Sequence, residues 1–520
     1  MTLVSLSLLA PLILIAVAAL APGRRGRRPD PLPRWSEGAA LAALGLTAAG
    51  ALQFLAAPAT APATAPVGGL PGLRADAVST AMALLVGFIG WIVMRYSRTY
   101  LDGEAREGAF HGLMLATLAA VLVFVQAGNL GVLILSSVGI GLGLKRLLLF
   151  YPARPEAQRA ATKFALVWHG GDVALAMAAL LLLARYGTTN LAVLSDAAAA
   201  GPLGLPGTLA VALIVLAAVL KTAAFPVHGW LTEVMEAPTP VSALLHAGII
   251  NAGGVLLIAT AGLVQASTAG MAALVMIGGF TALFGAVVML TQSAVKTALA
   301  WSTVSQMGFL LLQCGLGLWA LALLHIVAHS LYKAHAFLSS GGAVQAVAGI
   351  RRPGPVAVPD LGAVLKSFGL ALLIYAAIAT LFTLALGPKT AQALVLGAIL
   401  IFGVAYLVAQ GLADQAPAAL TRRTAMASAG AAIGYFAFQA AAQAIWGPAL
   451  PLAPVPGPLE WALIVLALAS FGIVAFAQAL FPLWSHHPAT AGLRVHVANG
   501  LYLNALLDRA IGGFRSTRTG

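Results

Sequence analysis

Apolar residues run along this chain in long blocks separated by short polar or proline-rich breaks. Blocks long enough to cross a hydrocarbon core of about 30 Å, roughly 20 residues each, fall near 3–21, 38–57, 76–96, 109–126, 129–150, 162–185, 207–224 and 240–264. Seven more follow near 270–291, 297–316, 318–347, 367–387, 391–412, 421–446 and 459–482. The pattern predicts an all-α polytopic membrane protein with about 13–15 transmembrane helices. The stretch 58–71, rich in Ala, Pro and Thr, and the stretch 447–458 read as loops. The expected organisation is N-terminal helices over 1–108, a first half over 109–264, a second over 265–446, and a last span with an amphipathic tail over 447–520.

The most informative interruption lies between Lys221 and Pro240. An apolar run ends in a lysine, and Pro226, Pro238 and Pro240 then break the backbone before apolar residues resume. Proline removes a donor and ends a helix. Free backbone groups at membrane depth are tolerated only where protein or a watery cavity covers them. His228, Glu233 and Glu236 sit in this break, and His246 follows in the next span. A broken helix beside a buried charge is a common construction for an ion site in a transporter.

Composition agrees: 61% of the 520 residues are hydrophobic and 8% charged, against about 25% charged in soluble domains. The single cysteine, Cys314, excludes a disulfide framework and protein-ligated iron–sulfur clusters in this chain. The net charge of +13 raises the question of nucleic acid, but the placement of the charges answers it. With fifteen spans and the N-terminus outside, 22 of the 28 basic residues fall on one side, including Arg24, Arg98, Arg106, Lys163, Arg351 and Arg494. That is the positive-inside rule. It predicts a cytoplasmic C-terminus, in a prokaryotic inner membrane. The basic cluster follows the first apolar run instead of preceding it, which favours a retained span over a signal peptide.

Arg74, Arg185 and Lys389 fall on the other side, and Lys221, Lys296 and Lys333 remain, within or at the ends of spans. Lysine at a helix centre costs about 2.5–3.5 kcal/mol on insertion scales, so each either snorkels to an interface or belongs to a polar site. His325, His329 and Lys333 are spaced four and four, which puts them on one helix stripe. Histidine titrates near neutral pH, and such a stripe suits a proton or ion relay. Ser330 and His335 lie near it on other faces. Asp172 is the one acid well inside an apolar run, and His169 shares its face. A buried carboxylate needs a cationic partner, and Lys221 is the candidate, either as a coupled site or as a static salt bridge. Lys296 precedes Ser302, Thr303, Ser305 and Gln306, which suit either a hydrated path or interhelical packing. The chain carries no GxxxxGK[ST], HExxH, paired-cysteine or GxSxG motif, and His486-His487 reads as interfacial. The tail from Leu493 to Phe514 suits an interfacial amphipathic helix or a partner-docking segment.

KTAAFPVHGWLTEVMEAPTPVSALLHAGIINAGG, WSTVSQMGF and HIVAHSLYKAHAFLSSG together resemble the proton-translocating antiporter-like subunits of respiratory complex I and the Mrp cation antiporters. The resemblance covers roughly 75–410. It implies a fold of inverted repeats with a broken helix near 221–240. Lys221 would be the central lysine of the broken helix, His246 the histidine that follows it, His325, His329 and Lys333 a relay along a hydrated axis, and Asp172 the acid of a short charged motif. His228, Glu233 and Lys296 complete the expected ion pathway. The sequence departs from complex I relatives at Val138, where they carry a glutamate, and in the twelfth span, which holds no charge. EVMEAPTPVSALLHAGIINAGG and HVANGLYLNALLDR are closer to the membrane subunits of two-component inorganic-carbon accumulation systems.

That resemblance implies a subunit that conducts H+ or Na+ and carries out no catalysis itself. It would have no cofactor of its own, and its partner would be a zinc protein resembling a β-carbonic anhydrase. One charge crossing 100 mV releases about 2.3 kcal/mol, enough to bias a coupled equilibrium more than tenfold. A proton-pumping subunit of an NADH–quinone oxidoreductase and a Mrp-like exchanger are the alternatives.

Overall fold

The computed structural model describes residues 5–21, 31–56, 72–234, 237–342, 360–412, 418–480, 484 and 487–510, with the backbone alone for 406–412, 418–421, 423 and 424. Glu236, His486, the whole loop 58–71 and the arginines at 24–28, 351–352 and 515–518 lie outside them.

The described helices are α1 (Ala10–Ala18), α2 (Leu32–Ala56), α3 (Ala77–Tyr100), α4 (Glu107–Val125), α5 (Leu130–Leu148), α6 (Pro155–Tyr186), α7 (Leu191–Ala200), α8 (Gly204–Lys221) and α9 (Gly229–Thr232). Next come α10 (Thr239–Ala247), α11 (Ala252–Ala259), α12 (Ala261–Gln265), α13 (Thr268–Met289), α14 (Val295–Gly315) and α15 (Trp319–Ser339). The last are α16 (Leu361–Leu386), α17 (Ala391–Leu412), α18 (Ala418–Trp446), α19 (Pro458–Ala479), α20 (Ala491–Ala498) and α21 (Leu503–Ala510). Helix stands at all fifteen expected positions. Among the described residues twelve are long and apolar enough to cross a membrane; Leu6–Ala18 and the apolar part of α17 are shorter, and α14, with its many polar residues, is not one of the twelve. Among the described residues there are no strands, only the isolated bridges Leu73–Ala127 and Asn129–Asn190.

Side chains at the helix starts satisfy backbone donors that the helix itself leaves free. Asp76 and Ser79 form a reciprocal capping box on α3, with Ser79 N–H donating to Asp76 at 2.7 Å and Asp76 N–H donating to Ser79 at 2.9 Å. Asn129 caps α5, and Asn190 caps the short α7, which the hydrophobic pattern alone did not mark as an element. The main core is built from α3 to α6, α8 and α10 to α15. The α10–α11 segment at its centre is almost wholly buried, whereas α16, α18 and α19 are largely exposed on their outer faces. α13 and α14 lie back to back through Gly278 and Gly308. A Cβ on Gly308 would strike the Ala282 backbone, and one on Gly278 would strike the Leu312 N–H. Close approach through small residues is how helices gain contact where lipid offers no hydrophobic driving force.

The break after Lys221 is present, but its three prolines act differently. Ala223 turns into the left-handed region (φ 50°), and the Phe225–Pro226 bond is cis. A single helical turn, α9, follows. Pro238 stands at the entry to α10 and Pro240 in its first turn, where the missing N–H was free anyway. Pro240 therefore starts a helix instead of interrupting one. A second interruption, not expected from the sequence, follows α10. Gly248 (φ −118°, ψ −74°) and a 3-10 turn over Ile249–Asn251 separate α10 from α11.

Candidate functional site

Two buried polar clusters flank these breaks. In the first, the Lys221 ammonium at the end of α8 donates to Asp172 on α6 at 2.6 Å, to Ser137 on α5 at 2.7 Å and to the Trp168 carbonyl at 3.4 Å. Ser137 also donates to the same Asp172 oxygen at 2.6 Å. The other carboxylate oxygen lies 2.8 Å from His169 Nδ1. The Trp168 ring covers the ammonium at 4.2 Å. Lys221 is fully buried. A charge in this position is tolerated because it is paired and hydrogen-bonded. The expected Lys221–Asp172 pair is thus formed. Ser137, one residue from Val138, was not foreseen; a serine inside an apolar run gives no signal that sets it apart from its neighbour Ser136.

The second cluster lies around the second break. His246 sits on the last turn of α10, with Nδ1 3.1 Å from the Thr303 hydroxyl of α14 and its ring stacked on Phe337 at 4.2 Å. His329 Nε2 on α15 bonds the His246 carbonyl at 3.1 Å. Asn251, in the 3-10 turn, donates to Ser330 at 3.0 Å. His325 and His329 lie with ring centroids 5.9 Å apart, and His325 Nδ1 is 2.7 Å from the Gln313 amide oxygen. Lys333, one turn further along the stripe, is fully buried and donates to the Leu299 carbonyl at 2.9 Å. The four-and-four stripe is therefore one face of α15. Ser330 belongs to the cluster through Asn251, and His335 is exposed. Of the α14 polar residues, Thr303 joins the site, whereas Ser305 donates to Ala282 O at 2.8 Å and serves packing.

The remaining expected residues stand apart. His228 is buried among Phe225, Phe284 and Trp301, with centroids at 6.1, 5.6 and 4.9 Å. Glu233 pairs with Lys163 of α6 at 2.5 Å. Lys163, counted by its position as one of the topology-setting charges, is in fact fully buried. The sequence could not reveal this, because burial there comes from α9 and the tail. Lys296 is half-buried at the start of α14, 3.3 Å from the Thr239 hydroxyl.

A cavity of about 20 Å³ lies beside the second break, walled mainly by apolar side chains of α3 and α4 such as Met82 and Phe124, with Asn251 and Ser330 as its polar lining. A space of that size holds about one water. A larger cavity of about 620 Å³, lined by Gln313, His325, His329 and Tyr332 and by α17 and α18, opens from the far end of the second cluster.

Buried ionisable groups joined across broken helices, in a bundle of long apolar helices, describe a multi-pass membrane subunit of antiporter-like build. The family described as "NADH:quinone oxidoreductase/Mrp antiporter, TM" matches residues 127–355, and the one described as "NADH-Ubiquinone oxidoreductase (complex I), chain 5 N-terminus" matches 71–111. A probable inorganic carbon transporter subunit DabB2 of Halothiobacillus neapolitanus is 38% identical over 84% of this chain and 79% of its own length. The probable DabB of Hydrogenovibrio crunogenus is 43% identical over 52% of each chain. NADH-quinone oxidoreductase subunit L of Mycobacterium tuberculosis is 36% identical over 54% of this chain and 45% of its own. Two solved assemblies share the fold: a Mrp complex from Dietzia (TM-score 0.62, 24% identity, 98% of this chain and 60% of that one) and respiratory complex I from Thermus thermophilus (TM-score 0.54, 20% identity, 96% and 99%). The chain belongs to the complex I/Mrp antiporter family of membrane subunits, and within it to the DabB inorganic carbon transporter subunits.

Proposed function

We propose that this chain conducts H+ or Na+ along its buried polar axis and that the flux energises accumulation of CO2 or bicarbonate by a DabA-like zinc protein on the cytoplasmic side. The observation that carries this reading is the Lys221–Asp172–Ser137 cluster, sealed from lipid and set against a helix break. From it the route runs past the cavity beside Asn251 and Ser330 to His246, along His329 and His325, and out to the cavity beside Gln313. Each step offers a group able to hand on a proton or to coordinate a cation through oxygen or nitrogen. Lys333 biases the second cluster by its charge. The chain itself needs no cofactor for this role, and its chemistry is transport. The N-terminus lies outside and the C-terminus inside by the distribution of basic residues.

The similarity to subunit L of an NADH-quinone oxidoreductase supports the alternatives, a redox-driven proton pump or a Mrp-type antiporter; all three use the same axis and differ in the partner. The test is substitution of the two fully buried lysines. Lys221→Ala and Lys333→Ala are each expected to abolish carbon-dependent growth and bicarbonate uptake while the protein stays in the membrane at wild-type level. Wild-type uptake in either variant removes that lysine from the mechanism.

A further inference from the structure

The described part of the C-terminal tail, up to Ala510, packs against the protein. It folds back over the end of the broken helix. Asp508 on α21 reaches the buried Lys163 ammonium at 2.6 Å, beside Glu233 on the same nitrogen at 2.5 Å. Asn504, one turn earlier, donates to the Thr232 hydroxyl of α9 at 3.1 Å. It presses so closely on Gly229 that a Cβ there would collide with its amide oxygen. Gly500, at φ 57°, brings the tail backbone against Trp301 and His228. Gln292 at the end of α13 donates to the Ala498 carbonyl at 3.2 Å.

Beneath Lys163 lies a layer of three aromatic rings. Phe164 is 5.4 Å from Trp168 and 5.3 Å from Trp230, centroid to centroid. Trp168 in turn covers the Lys221 ammonium at 4.2 Å. The order from outside inward is therefore tail, Lys163 with its two carboxylates, aromatic layer, Lys221. One cation holding two acids makes the tail's own acid, Asp508, dispensable. When Asp508 leaves, Lys163 keeps Glu233, so no buried charge is stranded, which is the usual obstacle to opening a buried pair. The like charges of Glu233 and Asp508 also repel, which lowers the cost of release.

We propose that Asn499–Ala510 is a detachable lid on the mouth of the Lys221 site, latched by Asp508 on Lys163 and by Asn504 on α9, and that its release admits water and the cation to the aromatic layer. This rests on the transport reading given above. The experiment uses the full chain in membrane vesicles and two readouts. The first is deuterium labelling of the α9 backbone amides, Gly229–Thr232, which leaves both latch contacts in place. The second is passive cation leak, followed with a pH-sensitive dye and with radioactive sodium. Asp508→Asn is expected to speed labelling at least tenfold and to raise the leak several-fold, and Lys221→Ala in the same chain is expected to remove that extra leak. Asn504→Ala is expected to act in the same direction. Unchanged labelling in both variants overturns the lid, and so does faster labelling with an unchanged leak in a chain whose wild type conducts. Failure of both variants to accumulate in membranes marks the tail as a structural strut and overturns it as well. If wild type and variants alike move no cation under an imposed gradient, the transport reading falls; a tenfold labelling gain then still supports a detachable cover.

Discussion

Lys221, Asp172 and Ser137 illustrate how a charge survives in the middle of a membrane protein. The ammonium has two short bonds to oxygen and an aromatic face above it, so its desolvation is offset by several partners at once. Hydrogen bonds to charged groups contribute about 1.5–3 kcal/mol each. Removing the Ser137 hydroxyl takes one such bond from the lysine and another from the aspartate. Ser137→Ala is expected to lower bicarbonate uptake roughly tenfold or more, about 1.4 kcal/mol per decade, with the protein still in the membrane. Asp172→Asn is expected to lower uptake by more and to leave assembly intact; loss of the protein from membranes would instead mark a static bridge. The Asp172–Lys221 pair was legible because a lone acid and a lone lysine in adjacent apolar runs need each other. Ser137 was not legible, because a serine in such a run normally bonds its own helix. Ser136 does so, donating to Val132 O at 2.7 Å. Only the approach of α5 to α6 separates the two neighbours.

At the scale of elements, two interruptions position the site, and they differ in visibility. The first is written in prolines. The second, at Gly248 and Ile249–Asn251, is set by no proline, yet it carries Asn251 into contact with Ser330 and leaves the His246 carbonyl free for His329. Glycine is common enough in membrane helices that Gly248 gave no signal by itself. The α13–α14 contact makes a related point. Its glycines let two helices approach so closely that a Cβ meets backbone. Gly308→Leu is therefore expected to cost about 1–3 kcal/mol or more, read as a lower Tm of the purified protein. Because Thr303 lies on the same helix, it is also expected to reduce uptake. Unchanged Tm and uptake would show that the two helices can part without consequence.

The whole molecule separates a packed, polar-cored part from a more exposed set of helices. α3 to α15 hold both clusters, whereas α16, α18 and α19 present long apolar faces outward, with Leu373, Leu384 and Phe438 among the exposed side chains. Zinc is proposed for a partner protein. Among the described residues no three His, Cys, Asp or Glu side chains gather as a metal site, and His487 accepts from the Ala489 N–H at 3.2 Å as a helix cap. Mild-detergent purification from native membranes is expected to bring along a second, zinc-containing polypeptide. Flavin and iron–sulfur subunits in its place would favour the redox pump.

Hydrophobic block length and the prolines after Lys221 were enough to determine the helical class and the approximate span positions, and charges inside apolar runs marked Asp172, Lys221 and Lys333 as buried groups. Those are local properties: an apolar run must be helical in lipid, and a proline cannot continue a helix. The tertiary structure decided which groups meet. It supplied Ser137, Thr303 and Gln313 as partners, paired Glu233 with Lys163, and laid the tail against α9. Each of these depends on how separate helices cross, and a contact between residues as far apart as Lys163 and Asp508 leaves no periodic trace in the chain.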